Sequence, residues 1–147
     1  MRLVLDTNVL IDAATDDFSP QARLIEAAID GEIVALVTDH TEREYRKILS
    51  HLVGDAEHHR LIEDFLTCAT RVDPGTCQVQ IDDKDDAKFL ATAIGGKADA
   101  IVTRDRHLLD IGEVGGTRIM APSECWASLQ DDIDNNAWQD WVDGLGI

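Results

Sequence analysis

Two short apolar segments in this chain each end abruptly in polar residues that include a carboxylate. Residues 3–5 are apolar and precede Asp6, and residues 100–102 are apolar and precede Thr103 and Asp105. An uninterrupted apolar run of this length predicts a strand that is buried on both faces of a parallel sheet. Ligands of open α/β sheets bind at the carboxyl ends of the strands, so acids placed there are positioned for chemistry.

Two further acids lie on helix faces that are predicted to be buried. Glu44 shares a face with Tyr45 and Ile48, and Asp86 shares a face with Phe89. A buried carboxylate is costly unless it is paired or binds a metal, and several acids together raise one another's pKa when no ion is present. The pattern therefore predicts one site built from four acids: Asp6, Glu44, Asp86 and Asp105.

Carboxylate oxygens in this number suit Mg²⁺ or Mn²⁺ as a cofactor. One or two such ions activate the attacking water and stabilise the departing oxygen when a phosphodiester is hydrolysed. Cations suited to holding a phosphate backbone are concentrated near the same acids. Seven of the 13 Lys and Arg residues lie within four positions of Glu44, Asp86 or Asp105, namely Arg43, Arg46, Lys47, Lys84, Lys88, Arg104 and Arg106.

Ordinary structural roles explain each of these features separately. Asp6 or Thr7 could cap the helix that begins near Val9. Acids in a first turn favour a helix through its dipole, which accounts for the acidic residues before Phe89. Cations can pair along a helix, as Arg46 would with Glu42.

The elements that must position these acids alternate between strands and helices along the chain. A helix between two parallel strands forms a right-handed crossover, so the order predicts an α/β fold. Ser19 before Pro20 predicts a capped helix start, and Gly31 predicts that helix's end. Buried strands are predicted at residues 3–5, 33–37 and 100–102, a last short strand at 117–120, a weak edge strand within 72–81, and helices at 9–14, 20–30, 41–52, 55–70, 82–94 and from 122. A short apolar turn is predicted to start at residues 108–109, and a loop is predicted at 112–116.

Length and composition limit the class of protein. A chain of 147 residues fits one domain with one core. The sequence contains no apolar run long enough to span a bilayer and no basic, then apolar, secretory signal, so we expect a soluble cytoplasmic protein that does not contact membranes. Its three cysteines lack the paired spacing of a zinc site and are expected to be reduced.

The formal net charge of −16 is the most unusual property of the composition. Such acidity opposes tight non-specific nucleic-acid binding in dilute salt, since that binding requires Lys and Arg. At about 1 M salt the screening length is only about 3 Å, and the repulsion would hardly extend past the surface. A composition rich in Asp and poor in Lys indicates a halophilic source.

Four segments taken together resemble the acidic motifs of the PIN domain, and the likeness is closest to the branch of VapC-type toxins. They are residues 5–11, 44–49, 86–93 and 102–109, in the family's order, within a likeness that covers residues 2–125. The resemblance implies a three-layer α/β/α sandwich with a central parallel sheet. It also implies a Mg²⁺- or Mn²⁺-dependent endoribonuclease that forms homodimers and is inhibited by a small antitoxin protein.

The resemblance also implies roles for individual residues. Asp6, Glu44, Asp86 and Asp105 match the metal-binding and catalytic acids, with Asn8 and Thr103 as supporting groups. Many family members carry a further acid where this chain has His107. Three other acids could substitute for it: Asp83, Asp85 and Asp99.

We therefore predict a ribonuclease domain at residues 1–125, followed at 126–147 by an acidic tail that contains Trp138 and Trp141. The tail either docks on the domain or meets a partner. One alternative is a catalytically idle PIN-like binding module. Another is a phosphatase with Asp6 as nucleophile, which is weakened because Asn8 stands where a second Asp is usual and no lysine follows the last short strand.

Overall fold

The computed structural model describes residues 1–51, 56–76 and 84–144. Strands and helices alternate along most of this chain, as the sequence predicts. The strands are β1 (Arg2–Leu5), β2 (Val34–Val37), β3 (Thr70–Arg71), β4 (Ala100–Val102), β5 (Glu113–Val114) and β6 (Thr117–Met120). The helices are α1 (Thr7–Ala13), α2 (Pro20–Ile29), α3 (Asp39–His51), α4 (Ala56–Cys68), α5 (Lys84–Gly96), α6 (Arg106–Ile111) and α7 (Pro122–Gly144).

The strands form one sheet in the order β3-β2-β1-β4-β6-β5. Every pairing is parallel except that of β5 with β6. Helices α1, α4 and α7 each pack on α2, whereas α5 packs on β1, β2 and β4 and also contacts α3. This arrangement confirms the predicted α/β fold with a central, mainly parallel sheet between helical layers.

Strand β1 lies in the middle of the sheet, and its residues Leu3, Val4 and Leu5 are fully buried. Leu5 pairs with Val102 of β4 in parallel register. Because both strands run in the same direction, the residues that follow them emerge at the same edge. Asp6 and Thr103 are thus neighbours although 97 positions separate them in sequence.

The predicted ends of α2 are confirmed. The Ser19 hydroxyl accepts a hydrogen bond from the Ala22 N–H at 3.1 Å, and Pro20 occupies the first helical position. Such a cap satisfies one of the N–H groups that the first turn leaves without a helical partner. Gly31 follows the helix with φ of 82°, a conformation that glycine adopts without steric cost.

Several predicted boundaries are wrong. Residues 106–111 form a helix rather than a short turn, because the Asp105 carboxylate accepts from the His107 N–H and caps it. Residues 113–114, predicted as loop, pair with β6. A short edge strand lies at Thr70–Arg71, where it pairs with β2. Of the segment predicted to contain an edge strand, residues 72–76 are not in a strand, and residues 77–81 lie outside the described chain.

Helix α7 runs without interruption from Pro122 to Gly144. The predicted boundary between residues 125 and 126 therefore falls inside a helix. Its first half contributes Cys125 and Leu129 to the core, whereas Trp138 and Trp141 are exposed. Over the described residues, no helix is long and apolar enough to cross a lipid bilayer.

Candidate active site

Asp6 lies at the carboxyl end of β1 and is only 8% exposed. Its Oδ2 accepts hydrogen bonds from the Thr103 hydroxyl at 2.8 Å and from the Asn8 amide at 3.3 Å. Burial raises the pKa of this carboxyl, and the charge of Asp105 adds to that effect, although the bond from Thr103 and the nearby N–H groups of Asn8 and Thr7 oppose it. The carboxylate makes no well-formed capping bond to α1, so capping does not explain its position.

Asp105 is tied to Asp6 through one hydroxyl. Thr103 donates to Asp6, and the same oxygen accepts from the Asp105 N–H at 3.0 Å. The Asp105 Oδ1 also caps α6 by accepting from the His107 N–H at 2.9 Å. Asp105 can therefore have both roles, since the helix cap fixes a carboxylate whose charge acts on Asp6.

Glu44 reaches the same edge from α3. Its Oε2 accepts from the Thr7 hydroxyl at 2.9 Å, and its Oε1 forms an ion pair with the Lys88 ammonium group of α5. The Lys88 side chain is only 6% exposed, and its nitrogen lies 5.3 Å from the centre of the Phe89 ring. These contacts join α1, α3 and α5 at one carboxylate.

Tyr45, the residue after Glu44, fixes the end of β1, from which Asp6 projects. Its hydroxyl donates to the backbone carbonyl of Leu5, one residue before Asp6, and its ring is fully buried. Burial raises the pKa of the phenol, and the charges of Asp6 and Glu44 raise it further, so it remains a neutral donor. The sequence placed Tyr45 on the inward face but gave no sign of this bond, because a partner 40 positions away is defined only by tertiary structure.

A network of buried hydroxyl groups fixes the start of α3. The Thr38 N–H donates to the Thr41 hydroxyl at 2.9 Å, and the Thr41 N–H donates to the Thr38 hydroxyl at 3.2 Å. The Thr38 hydroxyl also lies 3.3 Å from that of Thr92 on α5. This buried network sets the rotation of α3, and so the direction in which Glu44 projects.

Asp86 is buried near the start of α5, two positions before Lys88. The donor set as a whole is chemically suited to a hard divalent cation, because it consists of carboxylate oxygens. The burial and raised pKa of Asp6 are also what a cation would offset. Within the described chain, however, no group of three or more acidic, histidine or cysteine side chains is already close enough together to hold an ion.

The predicted phosphate-binding cations fall into two groups. Arg43, Lys47 and Lys88 line a cavity of about 280 Å³ together with His40 and Glu44. Arg46, Arg104 and Arg106 do not line this cavity, and the side chain of Lys84 lies outside the described part of the chain. Arg46 pairs with Glu42 and Glu63, Arg104 pairs with Asp12 at 2.7 Å, and Arg106 is exposed on α6.

One candidate for the additional acid is wrong. Asp99 precedes β4, and its Oδ2 accepts from the Arg2 N–H at 2.7 Å at the start of β1. It therefore lies at the amino ends of the parallel strands, away from Asp6. There it lines a separate cavity of about 600 Å³ with Lys97 and Thr117. Asp83 and the side chain of Asp85 lie outside the described part of the chain.

Comparisons with known proteins agree with this fold. A family model described as PIN domain matches residues 2–107. A chain in the crystal structure of VapBC2 from Rickettsia felis, bound to a DNA fragment from its promoter, superposes with a TM-score of 0.58 at 13% identity. That match covers 82% of this chain and 98% of the other. No curated protein matches this sequence.

Proposed function

Because this chain belongs to the PIN domain family, we propose that it is a metal-dependent endoribonuclease. The main support is the environment of Asp6. Its carboxylate is buried at the carboxyl ends of the strands, where it accepts hydrogen bonds from Thr103 and Asn8. The charge of Asp105 acts on it as well. Burying a carboxylate next to another acid costs stability, and a bound cation would offset that cost. The fold puts this unfavourable pair where α/β proteins bind their ligands.

Four residues would hold the cation: Asp6, Glu44, Asp86 and Asp105. When bound, a divalent ion would activate water and neutralise charge on the phosphate. The chain's own contribution is orientation. Thr103 fixes the Asp6 carboxylate, Thr7 fixes that of Glu44, and the Tyr45 hydroxyl holds the backbone from which Asp6 projects.

The RNA backbone would lie against the cavity beside Glu44. Arg43 and Lys47 border that cavity and are spaced one helical turn apart on α3. Two cations at this spacing can contact phosphates without reading the bases. This assignment leaves Arg46 out of the binding surface, because Glu42 and Glu63 already engage it.

We further propose that the protein is the toxin of a toxin-antitoxin pair, with a small antitoxin as partner and a homodimer as its assembly. The support is the likeness to a chain in a VapBC2 complex, together with the PIN domain match. Copurification of a small protein from an adjacent gene would test the pairing. Equilibrium sedimentation would test the dimer.

The nuclease proposal is tested by cleavage of a fluorescent RNA with Mn²⁺ or Mg²⁺, with and without chelator. We expect cleavage that the chelator abolishes and that Asp6→Asn lowers by about 100-fold or more. Asp110→Asn removes an equal charge from an exposed position on α6 and should cleave normally. Undiminished cleavage by Asp6→Asn would reject the assignment.

Two observations favour a second candidate, an idle PIN-like binding module. Lys88 already neutralises Glu44, and the described acids do not yet form a closed metal site. Titration calorimetry with Mn²⁺ distinguishes the two candidates. Heat of binding that disappears in Asp6→Asn supports the nuclease, and no binding at millimolar metal supports the idle module.

A further inference from the structure

The last part of the chain differs from the rest in charge. Residues 119–147 contain six acids but no Lys, Arg or His: Glu124, Asp131, Asp132, Asp134, Asp140 and Asp143. The family match ends at residue 107. The proposed nuclease site therefore makes no use of this segment.

The two halves of α7 have different surroundings. Cys125 and Leu129 in the first half are buried, and this helix packs on α2. In the second half, Trp138 is 63% exposed and Trp141 is 58% exposed. Their ring centres lie 5.1 Å apart, so the two indoles form one continuous aromatic surface.

The two Trp side chains share a helix face with two acids. Asp131, Asp134, Trp138 and Trp141 are spaced by three, four and three residues, which places them on one side of an α-helix. All four are exposed. We call these four residues the α7 stripe. Asp132 and Asp140 lie off this face, since each residue turns the helix by about 100°.

The side chains of the α7 stripe indicate the chemical class of ligand that it binds. Exposed paired aromatic rings are unfavourable in water and mark a surface that another molecule covers. Indole faces attract guanidinium groups, and adjacent carboxylates accept bidentate hydrogen bonds from them. RNA does not fit, because this half of the helix offers no cation to a phosphate.

From this combination we infer that the α7 stripe docks an arginine-rich segment of a partner protein. Arginine side chains of the partner stack on Trp138 and Trp141 and pair with Asp131 and Asp134. The interaction is independent of the nuclease site. It therefore survives in Asp6→Asn protein, so its failure and the failure of the nuclease proposal are separable.

The test is fluorescence anisotropy of a labelled synthetic peptide that carries Arg and Leu at helical spacing, at about 0.15 M salt to screen distant charges. A peptide with Glu in place of Arg is the probe control. We expect Asp131→Asn/Asp134→Asn to weaken binding about tenfold and Trp138→Ala/Trp141→Ala to weaken it at least as much. Circular dichroism verifies that each variant keeps its helix.

The matched control is Asp132→Asn/Asp140→Asn, which removes the same charge from outside the stripe and should change affinity by less than about twofold. Equal losses in both Asp pairs would show general charge attraction and overturn the inference. Failure of the wild-type protein to bind the Arg peptide would overturn it too. So would a wild-type dimer that Trp138→Ala/Trp141→Ala dissociates, because a second copy would then cover the stripe.

Discussion

The hydroxyl of Thr103 links the Asp6 carboxylate to the backbone N–H of Asp105. It donates to Asp6 and accepts from the Asp105 N–H, so its loss would disturb both. Thr103 is fully buried. In metal sites, removing a group that orients a metal-binding carboxylate commonly lowers the metal affinity by about 10- to 100-fold. Thr103 and Asn8 fit the supporting role that the sequence resemblance implies for them.

Asp6→Asn should stabilise the metal-free protein at neutral pH while abolishing cleavage. Burial raises the pKa of Asp6 in the folded state, so the folded protein binds this proton more tightly than the unfolded chain does. Stability therefore falls as pH rises from the unfolded pKa through the folded one, and the penalty is complete above that interval. Asparagine carries no such penalty.

Urea unfolding in chelator at pH 7 and at about pH 3 measures this effect, since the lower value lies below the unfolded pKa of Asp. The advantage of Asp6→Asn over wild type should be present at pH 7 and shrink in acid. Asp110→Asn serves as the exposed control. A variant less stable than wild type at pH 7 would show that the carboxylate is well compensated without metal.

Lys88→Met should tighten Mn²⁺ binding. The Lys88 ammonium group occupies one oxygen of Glu44, so a cation must compete with it for that carboxylate. Because this ion pair is largely buried, freeing the Glu44 carboxylate from it should raise the affinity for the metal by about tenfold or more. Titration calorimetry measures the affinity, and thermal melting should show a less stable protein without metal but a larger rise when Mn²⁺ is added.

The control for that experiment is Lys47→Met, which removes the same charge from the same cavity and leaves the Lys88–Glu44 pair intact. Unchanged or weaker Mn²⁺ binding by Lys88→Met would mean that Glu44 is not a ligand. A similar gain in Mn²⁺ affinity in both variants would indicate only that the site's electrostatic field had become more negative.

At the scale of single elements, the cations of α3 have two different surroundings. Arg43 and Lys47 line the cavity, whereas Arg46 forms ion pairs with acids. Arg43→Gln should weaken RNA binding several-fold and reduce its dependence on salt, because one phosphate contact is lost. Arg46→Gln should have little effect, because Arg46 is engaged by Glu42 and Glu63. Filter binding of RNA to Asp6→Asn protein, which does not cleave it, measures both. A larger effect of Arg46→Gln would reverse the assigned faces.

The elements were predicted well where local chemistry decides them. Ser19, Pro20 and Gly31 define α2 by capping and backbone preference, and both ends are confirmed. Helix α6 was not predicted, since a six-residue segment has a weak periodicity and depends on the Asp105 cap. Strand β5 exists only through its pairing with β6.

For the whole molecule, charge is the dominant property. A net charge of −16 on 147 residues opposes compaction by self-repulsion, which salt screens. The melting temperature should rise by several degrees between about 0.1 and 2 M KCl, with most of the gain below about 1 M, where screening is nearly complete. Differential scanning calorimetry measures it. An unchanged melting temperature would contradict the halophilic interpretation.

The sequence by itself determined the alternation of elements and the buried strands, because apolar periodicity and short-range chemistry act between near neighbours. It also indicated that Asp6 and Asp105 would share an edge, since parallel strands end together. Only the tertiary structure decided that Lys88 neutralises Glu44, that Tyr45 binds the Leu5 carbonyl and that Asp99 faces away. Those contacts join residues that are distant in sequence, and their partners are selected by packing rather than by any local pattern.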